Sequence, residues 1–339
     1  MTIRINMAIQ VLKPFLKEGK IMLKQNVFQK TIILMVLVFG ILVKVESGFG
    51  NTIWVDCLYE GVIKDGTPTH PYNKINKGIL ESVSDDIIKV LPGVYEENVI
   101  IDENLTLSGM GPDSTIIKGS GGTAITIKAN YNVTVEGFTI TKSQNDGIYI
   151  ESYSSAIPII IRNVVSVANT GSGLWQDEYC NGIVACLNCT FTANGEHGAR
   201  IWRYSTFTNC ISTSNGQYGF RGYSQNGKAT YCNAWNNISG GFFNIINTFC
   251  ISMDSKYIDS DTGDYRLRSD SSCRNAGSPD SADQNPDGTR NDMGAYGGPG
   301  AAGFYYGYGN GPIVTDLLIT PASVPLGGTF NINATAKAQ

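Results

Sequence analysis

The feature that most constrains this chain of 339 residues is a repeat that begins near residue 130. One repeat position recurs at spacings of 26, 25, 21 and 22 residues, as Phe138, Val164, Cys189, Cys210 and Cys232. A glycine keeps the same phase, as Gly147, Gly173, Gly198, Gly219 and Gly241. Self-similarity at this period is typical of a solenoid, whose units must stack on one another to bury their inner faces.

The residues between these markers decide which solenoid is expected. They form short runs of β-branched and aromatic residues broken by glycine and asparagine, and leucine is almost absent from residues 130–250. This composition excludes leucine-rich repeats and favours short strands in coils stacked about 4.8 Å apart. The chain has 39 glycines and only 16% charged residues, as expected of a turn-rich fold. We therefore predict an all-β parallel β-helix.

Stacked coils place equivalent inward residues in ladders. One ladder of small buried side chains is predicted from Cys189, Cys210, Cys232 and Cys250. Disulfides between coils are the alternative, and the better candidates for a bridge are two cysteines outside this ladder, Cys180 and Cys186.

The N-terminal flank predicts export. Residues 1–50 resemble a signal peptide, because lysines precede an uncharged run from Thr31 to Val43 that is too short to span a bilayer. An uncleaved anchor is the alternative. Either reading implies a secreted or cell-surface protein with no other membrane contact. The net charge of −4 gives no basic footprint for nucleic acid, and a monomer is expected.

The remaining segments follow from local patterns. The β-helix is predicted over 51–253, with apolar residues at helical spacing in 75–83 that would form a short N-terminal capping helix. Residues 254–300 are predicted to close the β-helix, and 301–312 form a Gly/Tyr-rich linker. Residues 313–339 alternate like the first strands of an Ig-like β-sandwich, which would be incomplete.

Several segments outside the repeat resemble a known group of proteins. They read Asp-Gly-Thr-Pro at 65–68, Val-Leu-Pro-Gly-Val-Tyr at 90–95, Leu-Thr-Leu-Ser-Gly at 105–109 and Asp-Gly-Thr-Arg-Asn-Asp-Met-Gly at 287–294. The chain is similar here to secreted right-handed parallel β-helix proteins of the pectin lyase-like superfamily. The resemblance implies a right-handed β-helix and a carbohydrate-related role. It names no substrate, because the superfamily includes pectate lyases, polygalacturonases and surface proteins without assigned activity.

One outer face of the predicted β-helix carries the candidate site. Counted from the repeat glycine, the second position is Tyr149, Trp175, Arg200, Arg221 and Phe243, and the fourth is Glu151, Asp177, Trp202 and Tyr223. Residues of one parity share a strand face, so these side chains should align across coils. The candidate catalytic residues are Glu151, Asp177, Arg200 and Arg221. The candidate substrate-binding residues are Trp175, Trp202, Arg203, Tyr204 and Tyr223.

This mixture suits an acidic polysaccharide. Aromatic rings stack on sugars, and arginine pairs bidentately with carboxylates. Glu151 and Asp177 are expected about 5 Å apart on adjacent coils. That geometry allows a retaining acid–nucleophile pair, a Ca²⁺ site holding a uronate, or an arginine-assisted β-elimination. The alternative is a solvated face with aromatic ladders for packing.

Two further features lie outside this face: a segment similar to a calcium loop, and a histidine in a turn. The segment Asp-Gln-Asn-Pro-Asp-Gly at 283–288 matches the first half of a calcium loop, with candidate ligands Asp283, Asn285, Asp287 and Asp292. A structural turn is the alternative. His197 lies in a Gly-rich turn and is expected on the surface, with a proton carrier as the alternative.

Two functions are therefore expected. The first is a polysaccharide lyase or glycoside hydrolase acting on an acidic, uronate-type polysaccharide, with Ca²⁺ as the one possible cofactor. The alternative is a non-catalytic surface, adhesion or glycan-binding scaffold. Turnover of a polysaccharide separates the two.

Overall fold

The computed structural model describes residues 50–128, 130–151, 157–180, 182–223 and 226–306, and the backbone of 313–320 and 331–337. The chain winds into coils, and each complete coil gives one strand to each of three parallel sheets. Val-, Ile- and Thr-rich segments separated by glycine and asparagine favour such brief strands. The predicted all-β, right-handed parallel β-helix is confirmed.

The three sheets follow one another in each coil. Sheet A contains β1 (Thr52–Val55), β2 (Asp86–Val90), β5 (Leu105–Gly109), β8 (Val133–Glu136), β11 (Pro158–Arg162), β14 (Ile183–Leu187), β17 (Thr206–Thr208), β20 (Lys228–Thr230) and β23 (Ile246–Thr248). Sheet B contains β3 (Gly93–Glu96), β6 (Thr115–Lys118), β9 (Thr139–Thr141), β12 (Val165–Val167), β15 (Thr190–Thr192), β18 (Ile211–Thr213) and β21 (Asn233–Trp235). Sheet C contains β4 (Val99–Ile101), β7 (Ile125–Lys128), β10 (Ile148–Glu151), β13 (Leu174–Gln176), β16 (Ala199–Ile201), β19 (Tyr218–Gly222) and β22 (Gly240–Phe243).

A short helix, α1 (Ile75–Leu80), lies in the segment where the sequence predicts a capping helix. A side chain in place of Gly78 would come within 3.0 Å of Val55, so glycine allows α1 to lie close to sheet A. At the edge of sheet C, the Ile100 N–H donates to the Asn76 side chain of α1 at 3.2 Å. The helix therefore provides an acceptor for an N–H group on β4, which is the edge strand of sheet C.

The interior changes character along the β-helix. The first coils are filled by aliphatic side chains such as Ile88 and Ile127, which are fully buried. Further along, Phe191, Phe207 and Phe220 pack against one another with ring centroids 4.7–6.4 Å apart. These large rings share the core with small thiols, so the cross-section is filled without longer aliphatic residues.

The predicted cysteine ladder is confirmed. Cys189, Cys210 and Cys232 are fully buried, and each backbone N–H lies 3.4 Å from the sulfur of the next cysteine, ending at Cys250. Burial raises the pKa of the three fully buried thiols, because a thiolate is costly in apolar surroundings.

The disulfide considered for Cys180 and Cys186 is absent. Both residues are buried free thiols. Burial, with smaller contributions from Cys189 and Cys232, raises the pKa of Cys186. This side chain therefore lies beside the ladder rather than outside it, because β14 turns it into the interior.

A second ladder, of asparagine amides, runs along the corner between sheets B and C. Asn169 Nδ2 donates to Asn194 Oδ1 at 3.0 Å, Asn194 to Asn215 at 3.1 Å, and Asn215 to Asn237 at 2.8 Å. The residue before each asparagine has a φ of 53–56°, which turns the chain out of sheet B. Because buried amides need partners, these bonds fix how each coil stacks on the next.

The segment predicted to close the β-helix packs along its side. It contains the antiparallel hairpin β24 (Tyr257–Asp259) and β25 (Asp264–Leu267) and the 3₁₀ turns Ser281–Asp283 and Pro299–Ala301. Val165 and Val167 on the outer face of sheet B are buried against Tyr265 and Tyr296. Asn188 Nδ2 donates to the carbonyl of Asp292 at 2.8 Å. The outer face of sheet B is therefore covered at β12 and β18, whereas Val94 on β3 and Trp235 on β21 are exposed.

The terminal regions are described only in part. Strands β26 (Ile313–Thr320) and β27 (Asn331–Lys337) pair antiparallel, and the β-sandwich expected there stays a prediction. The predicted signal peptide, apart from residue 50, and the second half of the predicted linker lie outside the described residues. Within the described residues, no helix has the length and apolar character needed to cross a membrane.

Candidate functional site

A strip of side chains crosses the outer face of sheet C in the predicted alignment. Strand register pairs Tyr149 with Trp175, Trp175 with Arg200, Arg200 with Arg221, and Arg221 with Phe243. Neighbouring strands are about 4.8 Å apart, so these side chains form one continuous strip over five coils. The intervening residues, such as Ile148 and Leu174, point into the core.

Arg200 is held between two aromatic rings. Its guanidinium lies 4.2 Å from the ring centroid of Trp175 and 4.5 Å from that of Tyr223. Glu178 is its ion-pair partner at 3.7 Å. Only 8% of Arg200 is exposed, and burial together with Arg221 lowers its pKa. Sequence placed Arg200 on this outer face, and the structure adds that its side chain is covered.

His197 is buried beside the arginines, so the surface position expected for it is wrong. Its Nε2 lies 2.9 Å from a terminal nitrogen of Arg221, and its Nδ1 accepts from the Tyr218 backbone N–H at 3.2 Å. Burial and the two arginines lower the pKa of His197 to about 4, which keeps the ring neutral near neutral pH. The residue occupies the repeat position just before Gly198, which the sequence analysis did not align.

The cluster is short of hydrogen-bond acceptors. A neutral imidazole accepts at one nitrogen only, yet both nitrogens of His197 face a donor. The Nε atoms of Arg200 and Arg221 are buried and have no hydrogen-bond partner. Arg200 and Arg221 occupy paired positions on adjacent strands, and two positive charges this close repel each other. The arrangement therefore favours a guest that brings negative charge and acceptor oxygens.

The two predicted catalytic carboxylates lie at neighbouring positions but have different surroundings. Ile150 pairs with Gln176, which makes Glu151 and Asp177 the next positions on adjacent coils. Asp177 accepts from the Tyr149 hydroxyl at 2.9 Å, whereas Glu151 is exposed. Burial and Asp177 raise the pKa of Tyr149 to about 12, so its hydroxyl stays a donor.

A second pair of acids was missed by the sequence analysis. Asp146 and Glu196 line a cavity of about 440 Å³ whose wall includes Tyr149 and Trp175. Burial and the nearby Glu196 raise the pKa of Asp146 to about 6, although the Ser172 N–H donates to it at 2.7 Å. Asp146 precedes Gly147 as His197 precedes Gly198. An alignment of the residues that precede each repeat glycine would have identified Asp146 and His197.

The remaining substrate-binding candidates lie at the end of the strip. Trp202 and Tyr223 have ring centroids 4.6 Å apart. Tyr204 is 63% exposed and Arg203 is exposed with a φ of 47°. These residues extend the aromatic surface beyond the arginine pair without closing over it.

The predicted calcium residues lie apart from this strip, in a turn of the C-terminal segment. Asn285 Oδ1 accepts from two backbone N–H groups at 2.9 and 3.1 Å. Asp287 and Asp292 each accept from a backbone N–H, at 3.0 and 2.6 Å, and Asp283 ends a 3₁₀ turn. Among the described residues, no three His, Cys, Asp or Glu side chains group closely enough to hold a metal. These bonds give the residues a structural role, and calcium binding stays a prediction.

Comparison with known proteins identifies the family to which this chain belongs. The model of the right-handed beta helix region family matches residues 96–274, which is more than half of the chain, so the protein belongs to that family. A cell surface glycoprotein of Methanothermus fervidus is 38% identical over 92 residues. That match covers 26% of this chain and 15% of the glycoprotein.

Three solved structures are similar to this chain at low identity. The pectin methylesterase PemA of Erwinia chrysanthemi is 12% identical, with a TM-score of 0.34, over 58% of this chain and 82% of the enzyme. Pectate lyase Pel9A is 12% identical, with a TM-score of 0.32, over 73% of this chain and 96% of the lyase. A rhamnogalacturonan lyase is 13% identical, with a TM-score of 0.25, over 56% of this chain and 69% of that lyase.

Proposed function

We propose that this protein binds an acidic polysaccharide along the outer face of sheet C. The observation that carries the proposal is the acceptor-poor cluster of Arg200, Arg221 and His197. A carboxylate or sulfate would supply acceptor oxygens and offset the repulsion between the guanidinium groups. The flanking Trp202 and Tyr223 rings provide a surface on which neighbouring sugars can stack.

Calorimetric titration with polygalacturonate, and with a neutral galactan as control, tests this proposal. We expect Arg221→Ala to weaken polygalacturonate binding by about 1.5–3 kcal/mol, the range for hydrogen bonds to charged groups. Arg162→Ala is the matched control, because Arg162 pairs with Glu136 on sheet A, away from the strip. Added salt should weaken wild-type binding. Equal affinity of wild type and Arg221→Ala for both polymers would contradict the proposal.

Hydrolysis of the bound polymer is the catalytic mode that the site supports best. Asp146 has a pKa of about 6, so it can hold a proton in mildly acidic solution, next to the aromatic wall of Tyr149 and Trp175. In this scheme Asp146 gives its proton to the glycosidic oxygen as the bond between that oxygen and the anomeric carbon breaks, so the leaving sugar departs as an alcohol. Water adds to the anomeric carbon and loses its proton to a carboxylate such as Glu196.

The products identify the reaction. Hydrolysis creates new reducing ends, whereas β-elimination creates unsaturated products that absorb in the ultraviolet. We expect reducing ends, activity that falls as the pH rises through about 6, and loss of turnover but not of binding in Asp146→Asn. Unsaturated products would contradict the role of Asp146 as the acid in hydrolysis and would favour a lyase.

A non-catalytic surface role is the second candidate. The likeness to a cell surface glycoprotein favours it, as does the exported character expected of residues 1–50. A surface scaffold would bind acidic polysaccharide without producing reducing ends or unsaturated sugars. Protease treatment of intact cells, followed by detection of the protein, tests whether it is displayed outside.

A further inference from the structure

Two adjoining cavities of about 520 and 720 Å³, together called the groove, lie along the corner where the strands of sheet B end. Its floor is formed by the single residues that turn the chain out of five successive strands: Lys142, Ala168, Ala193, Ser214 and Asn236. The hairpin β24–β25 forms its other wall, and Ser260, Asp261 and Tyr265 line the groove on both sides of the hairpin. Five strands spaced about 4.8 Å apart give a length of about 19 Å.

The groove is close to electrically balanced. Lys256 and Arg268 both contact Asp270, at 3.0 and 3.3 Å. Arg266 donates to Asp264 at 2.8 Å. These three cations have carboxylate partners, as Arg200 does on sheet C, whereas Arg221 has no carboxylate within 4.0 Å among the described residues. The groove therefore has no cluster of unpartnered guanidinium groups to select an anion.

The lining is rich in hydroxyl and amide groups and has an aromatic residue at each end. Ser214, Asn236 and Ser260 are its exposed polar residues, whereas the Thr192 and Thr213 hydroxyls are buried and lie 3.0 Å from each other. Trp235, at the C-terminal end, is 42% exposed, and Tyr306 at the other end is 41% exposed. Hydroxyls and an exposed indole are suited to sugar hydroxyls and to the apolar face of a sugar ring.

In the central part of the floor, the N–H groups of three of the five residues are already paired and are not available to an extended peptide. The N–H groups of Ala168, Ala193 and Ser214 donate to carbonyls of the next coil at 3.1–3.3 Å. A peptide that pairs as an added strand needs unpaired backbone groups. Recognition in this groove must therefore use side chains, which favours a ligand with hydroxyls over a β-strand.

We infer that this groove is a second binding site, for a neutral oligosaccharide, with Trp235 as its stacking platform. The site is independent of the acidic polysaccharide face on sheet C. Trp235 stacks on one ring, and the hydroxyl and amide groups along the floor bind the hydroxyls of the sugars that follow. The charge balance sets its preference for uncharged chains.

Calorimetric titration with cellohexaose, mannohexaose and maltohexaose tests the inference. At least one hexasaccharide should bind the wild type, and Trp235→Ala should weaken that binding about tenfold. Polygalacturonate binding should be unchanged in Trp235→Ala, which separates this site from the one on sheet C. Asp261→Ala, an exposed substitution in the shared wall, should weaken hexasaccharide binding by a smaller factor.

The matched control is Phe249→Ala, because Phe249 is an exposed aromatic residue that does not line the groove. It should bind the hexasaccharide as the wild type does. Failure of all three hexasaccharides to bind, or unchanged binding in a folded Trp235→Ala variant, would overturn the inference. An extended peptide that binds in a Trp235-dependent way, without any hexasaccharide binding, would also overturn it.

Discussion

Sheets B and C are built from the same coils but present different outer faces. On sheet B, Val165, Val167 and Ile211 point outward and are buried by the C-terminal segment. On sheet C, the equivalent outward positions carry aromatic rings and the Arg200–Arg221 pair. The C-terminal segment covers the first face, whereas on the second face Arg221 has no ion-pair partner among the described residues.

This difference separates a face that stabilises the fold from a face that we propose to bind a ligand. Apolar outward residues on sheet B stabilise the attachment of the C-terminal segment, since their burial removes apolar surface from water. The buried arginines of sheet C are costly without acceptors. Substitutions on sheet B should therefore change unfolding, and substitutions on sheet C should change binding.

The largest expected effect lies beneath both faces. Cys210→Asp would bury a carboxylate in the thiol ladder, at a cost of several kcal/mol, and soluble expression should collapse. Cys210→Val keeps an apolar side chain and should give a folded protein. Expression yield and circular dichroism make the comparison. A stably folded Cys210→Asp protein would show that this position is not interior.

On sheet B, Asn188→Ala should lower the free energy of unfolding by about 2–3 kcal/mol. Its amide donates to Asn291 and to the Asp292 carbonyl at 2.9 and 2.8 Å, and its loss leaves buried groups unpaired. Urea denaturation measures the change. Polygalacturonate affinity should be unaffected. The exposed Asn236→Ala serves as control, and an equal loss of stability there would contradict this role for Asn188.

Acid should distinguish the two buried titratable groups of sheet C. His197 has a pKa of about 4 in the folded protein against 6.5 as its ordinary value, so the unfolded chain binds more protons between these pH values. The free energy of unfolding that depends on neutral His197 is therefore fully present above pH 6.5 and is lost as the pH falls toward 4. His197→Asn should remove roughly 1–3 kcal/mol of this pH dependence in urea denaturation series.

Asp146 provides the matched comparison with the opposite sign. Its folded pKa of about 6 exceeds the ordinary value of 3.8, so the folded protein binds more protons between them and loses stability as the pH rises. Asp146→Asn should remove that loss. Identical pH slopes in wild type, His197→Asn and Asp146→Asn would contradict the burial assigned to both groups.

The smallest effect is expected for Tyr204→Ala at the end of the strip. Tyr204 is 63% exposed, so its removal should leave stability within about 0.5 kcal/mol. A modest loss of polysaccharide affinity, with unchanged melting, would extend the binding face to this residue. No change in affinity would end the face at Trp202.

Sequence predicted the periodic part of this molecule well, for a physical reason. Stacking repeats aligns equivalent residues, so the spacing from Tyr149 to Phe243 determines the strip on sheet C. The cysteine ladder follows from the same rule. Local spacing therefore suffices wherever a residue's neighbours are its counterparts in adjoining coils.

Features that depend on contacts outside the repeat could not be predicted in this way. The C-terminal segment reaches sheet B through contacts more than a hundred residues apart in sequence, such as Asn188 with Asp292. The sequence predicted a surface position for His197, because a glycine-rich turn does not reveal that Arg221 packs against this side chain. The raised pKa of Asp146 likewise depends on its burial beside Glu196, from two different coils.

The asparagine ladder makes the coil the unit in which this protein can change length. Each amide donates to the next asparagine along the axis, so deletion of Asn194 alone would leave Asn169 without its acceptor. Removal of a whole coil would instead bring two equivalent asparagines into contact. The molecule can therefore gain or lose coils as intact modules, and each one would lengthen or shorten the strip on sheet C by about 4.8 Å.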